Sequence, residues 1–473
     1  MQVLKTFYND TQMTDSNSLA NAMLEKPAEL SPIITHLAGK EDKKFPLTML
    51  TEGVGNTKSI DRWEYEYRVK THEVNVRPVV SAAPGAVQGA GGQIFTVQFP
   101  DKWFIFPYTL ISESGTQARI MSEPKQIGTQ WEYTLRVVAA DATTSVSIAD
   151  LTPGAMWAQL YANVGLDFSR GNASNWSVPG LVRNKIGTIR KSYHFAGNAK
   201  DYVAEFSLPT KGGKMTKLWM DYEEYRHMLS FKEECELLYW YGERTYDDNG
   251  TTTMKDENGQ PVITGPGLLQ QIINKDTYST LTESKLKNTI GDMFYGMTDA
   301  SSKQITLYTG IGGAREFDEA LKAHTGGFAS WTVNADSHFI TGSGRSLGMT
   351  GYFTSYDHID GHRINVVKNP SFDHGPVAQA RAKHPVTGYS LESYRMVFVD
   401  QSNYDGQSNV QMINKKGREM LRWAVAGSVV PRGFSGSDTR ASDIDGASVH
   451  MLKTAGIVLR RFDTSLDLQC VAV

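Results

Sequence analysis

Met215–Tyr241 reads MTKLWMDYEEYRHMLSFKEECELLYWY and contains neither Gly nor Pro in its 27 residues. Gly212 and Gly213 precede it and Gly242 follows it, where a helix C-terminus favours glycine. Leu218, Tyr222, Tyr225 and Leu229 recur at helical spacing, and Met228, Phe231, Cys235 and Leu238 continue the stripe. The spacing predicts one helix of roughly 40 Å at about 1.5 Å per residue, two to three times the usual globular length. A single long helix suits many α+β folds, so its neighbours decide the reading.

Upstream the pattern is that of strands. Trp63, Tyr65, Tyr67 and Val69 alternate with Glu64, Glu66 and Arg68, and His72, Val74, Val76 and Val79 prolong the signal into one long strand over 59–79. SAAPGAVQGAGGQ (Ser81–Gln93) reads as a loop. Short strands then follow at even spacing from Ile94 to about Ile148, which predicts a small β-sandwich or barrel. A short apolar piece near Trp157–Val164 and a Gly/Asn/Ser loop lead to 186–208, which reads as extended again. We expect 59–79 and 186–208 to be the antiparallel arms of one projection carrying the β-rich block at its tip. A bare two-stranded ribbon is marginal in water, so such a projection needs a partner surface.

Charge suggests that partner. Gly180–Lys217 holds eight basic residues, including Arg190, Lys191 and Lys200, against Asp201 and Glu205, a net of +6. Leu218–Glu243 holds seven acidic residues, including Asp221, Glu224 and Glu233, against Arg226 and Lys232, a net of −5. The expectation is that one subunit's basic arm lies on the acidic helix of the next, with Trp63, Tyr65 and Tyr67 burying apolar area at the junction.

Composition bounds the remainder. The 473 residues suggest two to four domains, and 40% hydrophobic with 21% charged residues describes a globular chain. The net charge of −3 gives no overall basic field for nucleic acid. Cys235 and Cys470 are the two cysteines, too few for a disulfide framework or a zinc site, and Cys235 within the stripe reads as a buried apolar residue. The first residues, MQVLKTFYND, lack an apolar signal core and no run of 18 apolar residues occurs, so a cytoplasmic start without membrane association is expected. Residues 1–57 are polar and read as a terminal arm with a short helix near Asp15–Met23. Past the helix, short helices at GPGLLQQIINK, Leu281–Tyr295 and GIGGAREFDEALKAH alternate with strands at Ile305–Tyr308, His358–Val367, Ser393–Val399, Val410–Ile413, Ala455–Arg461 and after Ser465.

Three motifs bear on chemistry. Gly310, Gly312 and Gly313 lie between a strand and a helix, where backbone N–H groups could hold a phosphate, yet Arg315 replaces the third glycine of the dinucleotide pattern. GRSLG (Gly344–Gly348) matches a nucleophile elbow at Ser346, but MTGYFTSYDH after it is a poor helix. His358, His362 and His374 with Asp360 and Asp373 lack the helical face that an H-x₃-H zinc site uses. We expect no catalytic residue, cofactor or metal.

The layout resembles the major capsid proteins of tailed double-stranded DNA phages, the Hong Kong 97-type fold. Ile305–Leu321 (ITLYTGIGGAREFDEAL), Gly361–His374 (GHRINVVKNPSFDH) and Ala455–Leu468 (AGIVLRRFDTSLDL) resemble those of crAss-like Bacteroides phages. The resemblance implies an α+β chain with an N-terminal arm (1–58), extended-loop strands (59–92 and 180–210) and a β-rich insertion (93–179). A spine helix (211–244), an axial domain (245–440) and return strands (441–473) would complete it. It further implies self-assembly as hexamers and pentamers in an icosahedral virion shell, built in the host cytoplasm, with portal, scaffolding or decoration proteins and packaged DNA as partners. An adhesin or tail protein with 93–180 as its binding module, and an enzyme using Gly310–Gly313 or Ser346, are the other readings.

Overall fold

The structure is a computed structural model, and it describes residues 45–70, 75–82, 88–139, 141, 143–167, 171–197, 203–207, 215–295, 303–324, 355–357, 362–404, 406–430 and 441–471. The chain divides into two units, one made of Met1–Tyr67 with Arg183–Val473 and one of Arg68–Val182.

The first unit contains a five-stranded and a six-stranded sheet, besides two-stranded pairs. Gly446–Leu459, a strand of 14 residues, is the centre of a five-stranded sheet. It pairs antiparallel with Gly187–Ala196 along one edge and with Val410–Lys415 and Leu421–Ala426 along the other. Thr57–Ile60 adds in parallel to Val410–Lys415. The long helix runs from Trp219 to Tyr241, and Met215–Leu218 before it is a strand paired with Val203–Ser207. The helix buries Phe231, Cys235, Tyr239 and Trp240 in a core shared with Tyr193, Val449, Met451 and Ile457 of the sheet. Each side chain so buried contributes about 1.5–3 kcal/mol.

The second sheet has six strands, ordered Asn274–Tyr278, Leu466–Cys470, Met396–Asp400, Gln304–Thr309, Arg363–Lys368 and Ser355–Asp357. Met396–Asp400 is buried at every position, as a strand covered on both faces must be. Helices Glu283–Met293 and Ile311–His324 supply Leu286, Ile290, Phe317 and Leu321 to that cover.

Two buried polar groups tie these parts together. Glu236 is fully buried on the long helix. Its carboxylate accepts from Leu47 N at 2.9 Å, Thr48 N at 3.0 Å, Trp240 Nε1 at 3.0 Å and the Thr48 hydroxyl. It thereby satisfies the first turn of helix Pro46–Thr51, which has no cap of its own. Arg395 holds Asp467 through two bonds, of 2.8 and 2.6 Å, and Glu392 through a third of 2.9 Å. Tyr241 at the end of the long helix donates to the same Glu392 at 2.6 Å.

The second unit is an eight-stranded sheet. Its two end strands, Val76–Pro78 and Ser81–Ala82, are separated by only Val79 and Val80, which donate to Ala155 O and Gln98 O. Neighbours in sequence at opposite ends of one sheet require it to roll into a barrel. Trp157, Tyr133, Phe99, Phe104 and Leu135 fill the interior, and Phe99, Phe104 and Tyr133 meet edge to face.

The α+β class and the order ribbon, long helix, helix-and-sheet body and return strands follow the Hong Kong 97-type expectation. Several expected boundaries do not. The long strand over 59–79 is three pieces, Thr57–Ile60, Glu64–Val69 and Val76–Pro78. Glu64–Val69 pairs with Gly180–Lys185, whereas Gly187–Ala196 joins the five-stranded sheet and is not a projecting arm. The inserted unit spans Arg68–Val182 and not 93–179, because Val76–Ala82 supplies both of its end strands. Val410–Lys415 and Leu421–Ala426, expected in the axial body, pair into the five-stranded sheet. The arm over residues 1–44 and the helix expected at Asp15–Met23 lie outside the described residues.

Removing one member of a buried ion pair strands the others, at about 3–5 kcal/mol. Arg395→Met is expected to lower unfolding stability by that order in denaturant titration. Glu236→Gln turns an amide N–H₂ toward backbone donors, and about 1–3 kcal/mol should be lost; an unchanged midpoint would remove Glu236 as the anchor of helix Pro46–Thr51.

Candidate assembly surfaces

Tyr65 and Tyr67 project from the Glu64–Val69 strand onto the chain's own sheet. Their hydroxyls donate to Ile457 O at 2.8 Å and Leu459 O at 2.9 Å. Their rings pack against Ile186, Ile413 and Val458. Burial raises both phenols, Tyr67 to about 12. The two tyrosines expected at a subunit junction are thus spent within the subunit, because the alternating face found its cover locally. Trp63 differs: its side chain is 47% exposed, and the Lys415 and Arg418 cations sit 5.5 and 5.4 Å from its ring centroid.

The basic and acidic stretches also meet inside one chain. Lys191 Nζ lies 2.5 Å from Glu234 Oε1 and 2.7 Å from Ser230 Oγ, so this arm lies on its own helix. Arg190 places its guanidinium 5.3 Å from the ring centroid of Trp423 on the same sheet. Strand Gly187–Ala196 is hydrogen-bonded to Gly446–Leu459 and packs on the helix that follows it, which brings these groups together within the chain. Glu233 is half-buried. Lys200 and the side chains of Asp221 and Glu224 lie outside the described residues.

The turn Gly310–Gly313 is filled by protein groups. Asp373 Oδ1 accepts from Ile311 N at 2.9 Å and from Ser393 Oγ at 2.5 Å, and Ser393 Oγ accepts from Gly312 N at 2.9 Å. A Cβ on Gly310 would stand 2.5 Å from Asp373 Oδ1 and 2.7 Å from Ser393 O. The glycines permit close packing, and a carboxylate already occupies the place a phosphate would take. His362 accepts from Lys303 N at 3.2 Å and lies against Phe294. Among the described residues no group of three or more His, Cys, Asp or Glu is placed to hold a metal, and no helix is long and apolar enough to cross a membrane. Ser346, His358 and Asp360 lie outside the described residues.

A surface that sequence reading passed over lies in the second unit. From Leu160 to Leu181 the described chain is largely irregular, yet Leu166 is 102%, Val178 72% and Trp176 66% exposed. Asn175 pins this strap to the barrel, donating to Trp103 O at 2.9 Å and accepting from Gln159 Nε2 at 3.0 Å. Large apolar side chains held outward on an anchored segment mark a contact surface. Their lack of any period hid them in the sequence.

The family model of the Crassvirus major capsid protein matches residues 1–472. The major capsid protein of Bacteroides phage crAss001 is 23% identical over 401 residues, covering 80% of this chain and 78% of that protein. Among solved structures, Mycobacterium phage Ogopogo aligns with 95% of this chain and 99% of its own, at 9% identity and a TM-score of 0.36. The capsid of Myoviridae phage XM1 aligns with 98% of this chain and 100% of its own, at 9% identity and a TM-score of 0.32. Those scores describe a distant likeness, whereas the family match runs through both units, and the chain belongs to the Crassvirus major capsid protein family.

Proposed function

We propose that this chain assembles, as hexamers and pentamers, into the icosahedral shell of a virion and encloses packaged double-stranded DNA. The family match over residues 1–472 carries the reading. The surfaces give it a physical route: Trp63 and the strap from Leu160 to Leu181 hold apolar area outward, and many weak copies of one contact add through multivalency. The chain does its work by contact, without chemistry at any residue. Its net charge of −3 suits a container that holds nucleic acid loosely and releases it. Assembly in the host cytoplasm, and portal, scaffolding or decoration proteins as further partners, belong to the same proposal.

Negative-stain microscopy of the expressed protein, alone and with the products of neighbouring genes, is expected to show closed shells; trimers or fibres in every case would overturn the reading. Leu166→Asp with Trp176→Asp is expected to reduce particle number sharply. Both side chains are exposed, so stability of the unassembled chain should move by no more than about 0.5 kcal/mol per site. Particles in wild-type yield from that variant would remove the strap from the contacts.

A further inference from the structure

The outer face of the barrel holds two arginines side by side. Arg119 on strand Gln117–Ile120 stands directly opposite Arg136 on strand Gln130–Val137. Like charges in that position repel, and a sheet ordinarily separates them or sets an acid between. Here the next residues across the ladder are Thr109 and Ile94, and none of the neighbours two positions away on either strand is acidic. Arg119 donates to Asn163 O at 2.9 Å. Arg136 makes no hydrogen bond or ion pair among the described residues. The pair borders a depression of about 380 Å3 whose other walls include Phe106, Met121 and Val138. Those three are 38, 38 and 49% exposed.

Two guanidiniums that meet no acid among the described residues, beside an apolar hollow, suit a carboxylate attached to something greasy, since guanidinium and carboxylate pair through parallel bonds. The chain itself presents such a group. Met254–Val262 is a tight hairpin in which Val262 N donates to Met254 O and Asp256 N to Gln260 O. Asp256 Oδ1 accepts from Asn258 N and Gln260 N, so Asp256 is spent on holding the turn. Glu257 at the apex is exposed and carries no ion pair among the described residues. Met254 and Val262 flank it, 53 and 37% exposed.

We propose that Arg119 and Arg136 form a carboxylate-binding subsite, and that its occupant is Glu257 of a second copy of this chain, with Met254 or Val262 seated in the hollow. The proposal rests on the self-assembly reading for the supply of copies.

The test titrates unassembled full-length protein into a labelled peptide of residues 250–264 and follows fluorescence anisotropy. Saturable binding is expected, weakened at least tenfold by Arg119→Glu with Arg136→Glu and by Glu257→Lys in the peptide. Combining the two reversals should restore it. Arg119→Lys with Arg136→Lys keeps the charge without the fork; it should bind at intermediate strength, and it carries the test if the reversed protein misfolds. No saturable binding, or binding indifferent to both arginines, overturns the proposal. Arginine-dependent binding of a free sugar acid in place of the peptide overturns the occupant. Particle formation is scored separately. Shells without peptide binding would sink this subsite and leave the shell reading standing; arginine-dependent binding without shells would do the reverse.

Discussion

The strand Gly446–Leu459 imposes the main constraint on the first unit. It runs for 14 residues and is buried or half-buried throughout, so its backbone groups need partners on both edges. Gly187–Ala196 supplies one edge over ten pairs, and Val410–Lys415 and Leu421–Ala426 share the other. Each of these strands is separated from the central one by 19 or more residues of sequence. The long helix then covers the apolar face that the pairing creates, and Glu236 on that helix gathers the chain at Leu47 and Thr48. The path of the chain past the inserted unit and back follows from filling those edges.

The same constraint explains what could be read from residues alone. Periodicity made the long helix legible, and local apolar runs marked Gln304–Thr309, Arg363–Lys368, Met396–Asp400 and Leu466–Cys470 of the six-stranded sheet but neither Asn274–Tyr278 nor Ser355–Asp357. It also marked 186–208 as extended. It could not name the partner, since alternation fixes which face is apolar and says nothing of which edge is taken. The +6 and −5 stretches were likewise visible, and Lys191 does meet Glu234. The expectation sent the arm to a neighbour; within the chain, Lys191 lies on its own helix. Gly187–Ala196 is separated from the helix by 22 residues, and because loop-closure cost grows slowly with length the strand can lie on that helix.

The inserted unit was harder to bound for a different reason. Val76–Pro78 and Ser81–Ala82 are strands of three and two residues, too short for a period to register. They become recognisable through their places at the two ends of one sheet. The strap from Leu160 to Leu181 and the Arg119–Arg136 pair escaped for related reasons: one has no repeat, and the other depends on a register across two strands.

Closure of that sheet limits how the unit can engage anything. An open sheet offers rows of unpaired N–H and C=O groups, and a passing strand can add to them without regard to side chains. Here the end strands are joined through Val79 and Val80, whose N–H groups bond to Ala155 O and Gln98 O, so those edges are spent. Apart from the outer edge of the three-residue strand Lys125–Ile127, which pairs only with Gln130–Val137, what the described barrel has left are side chains on its outer face and on the strap. Contacts made through Trp176, Leu166 or an arginine pair depend on shape and charge, and they tolerate few alternatives. Strand addition would accept any extended chain, including a misfolded copy. For a protein present at high local concentration among its own copies, closing the barrel removes that hazard while keeping the selective surfaces.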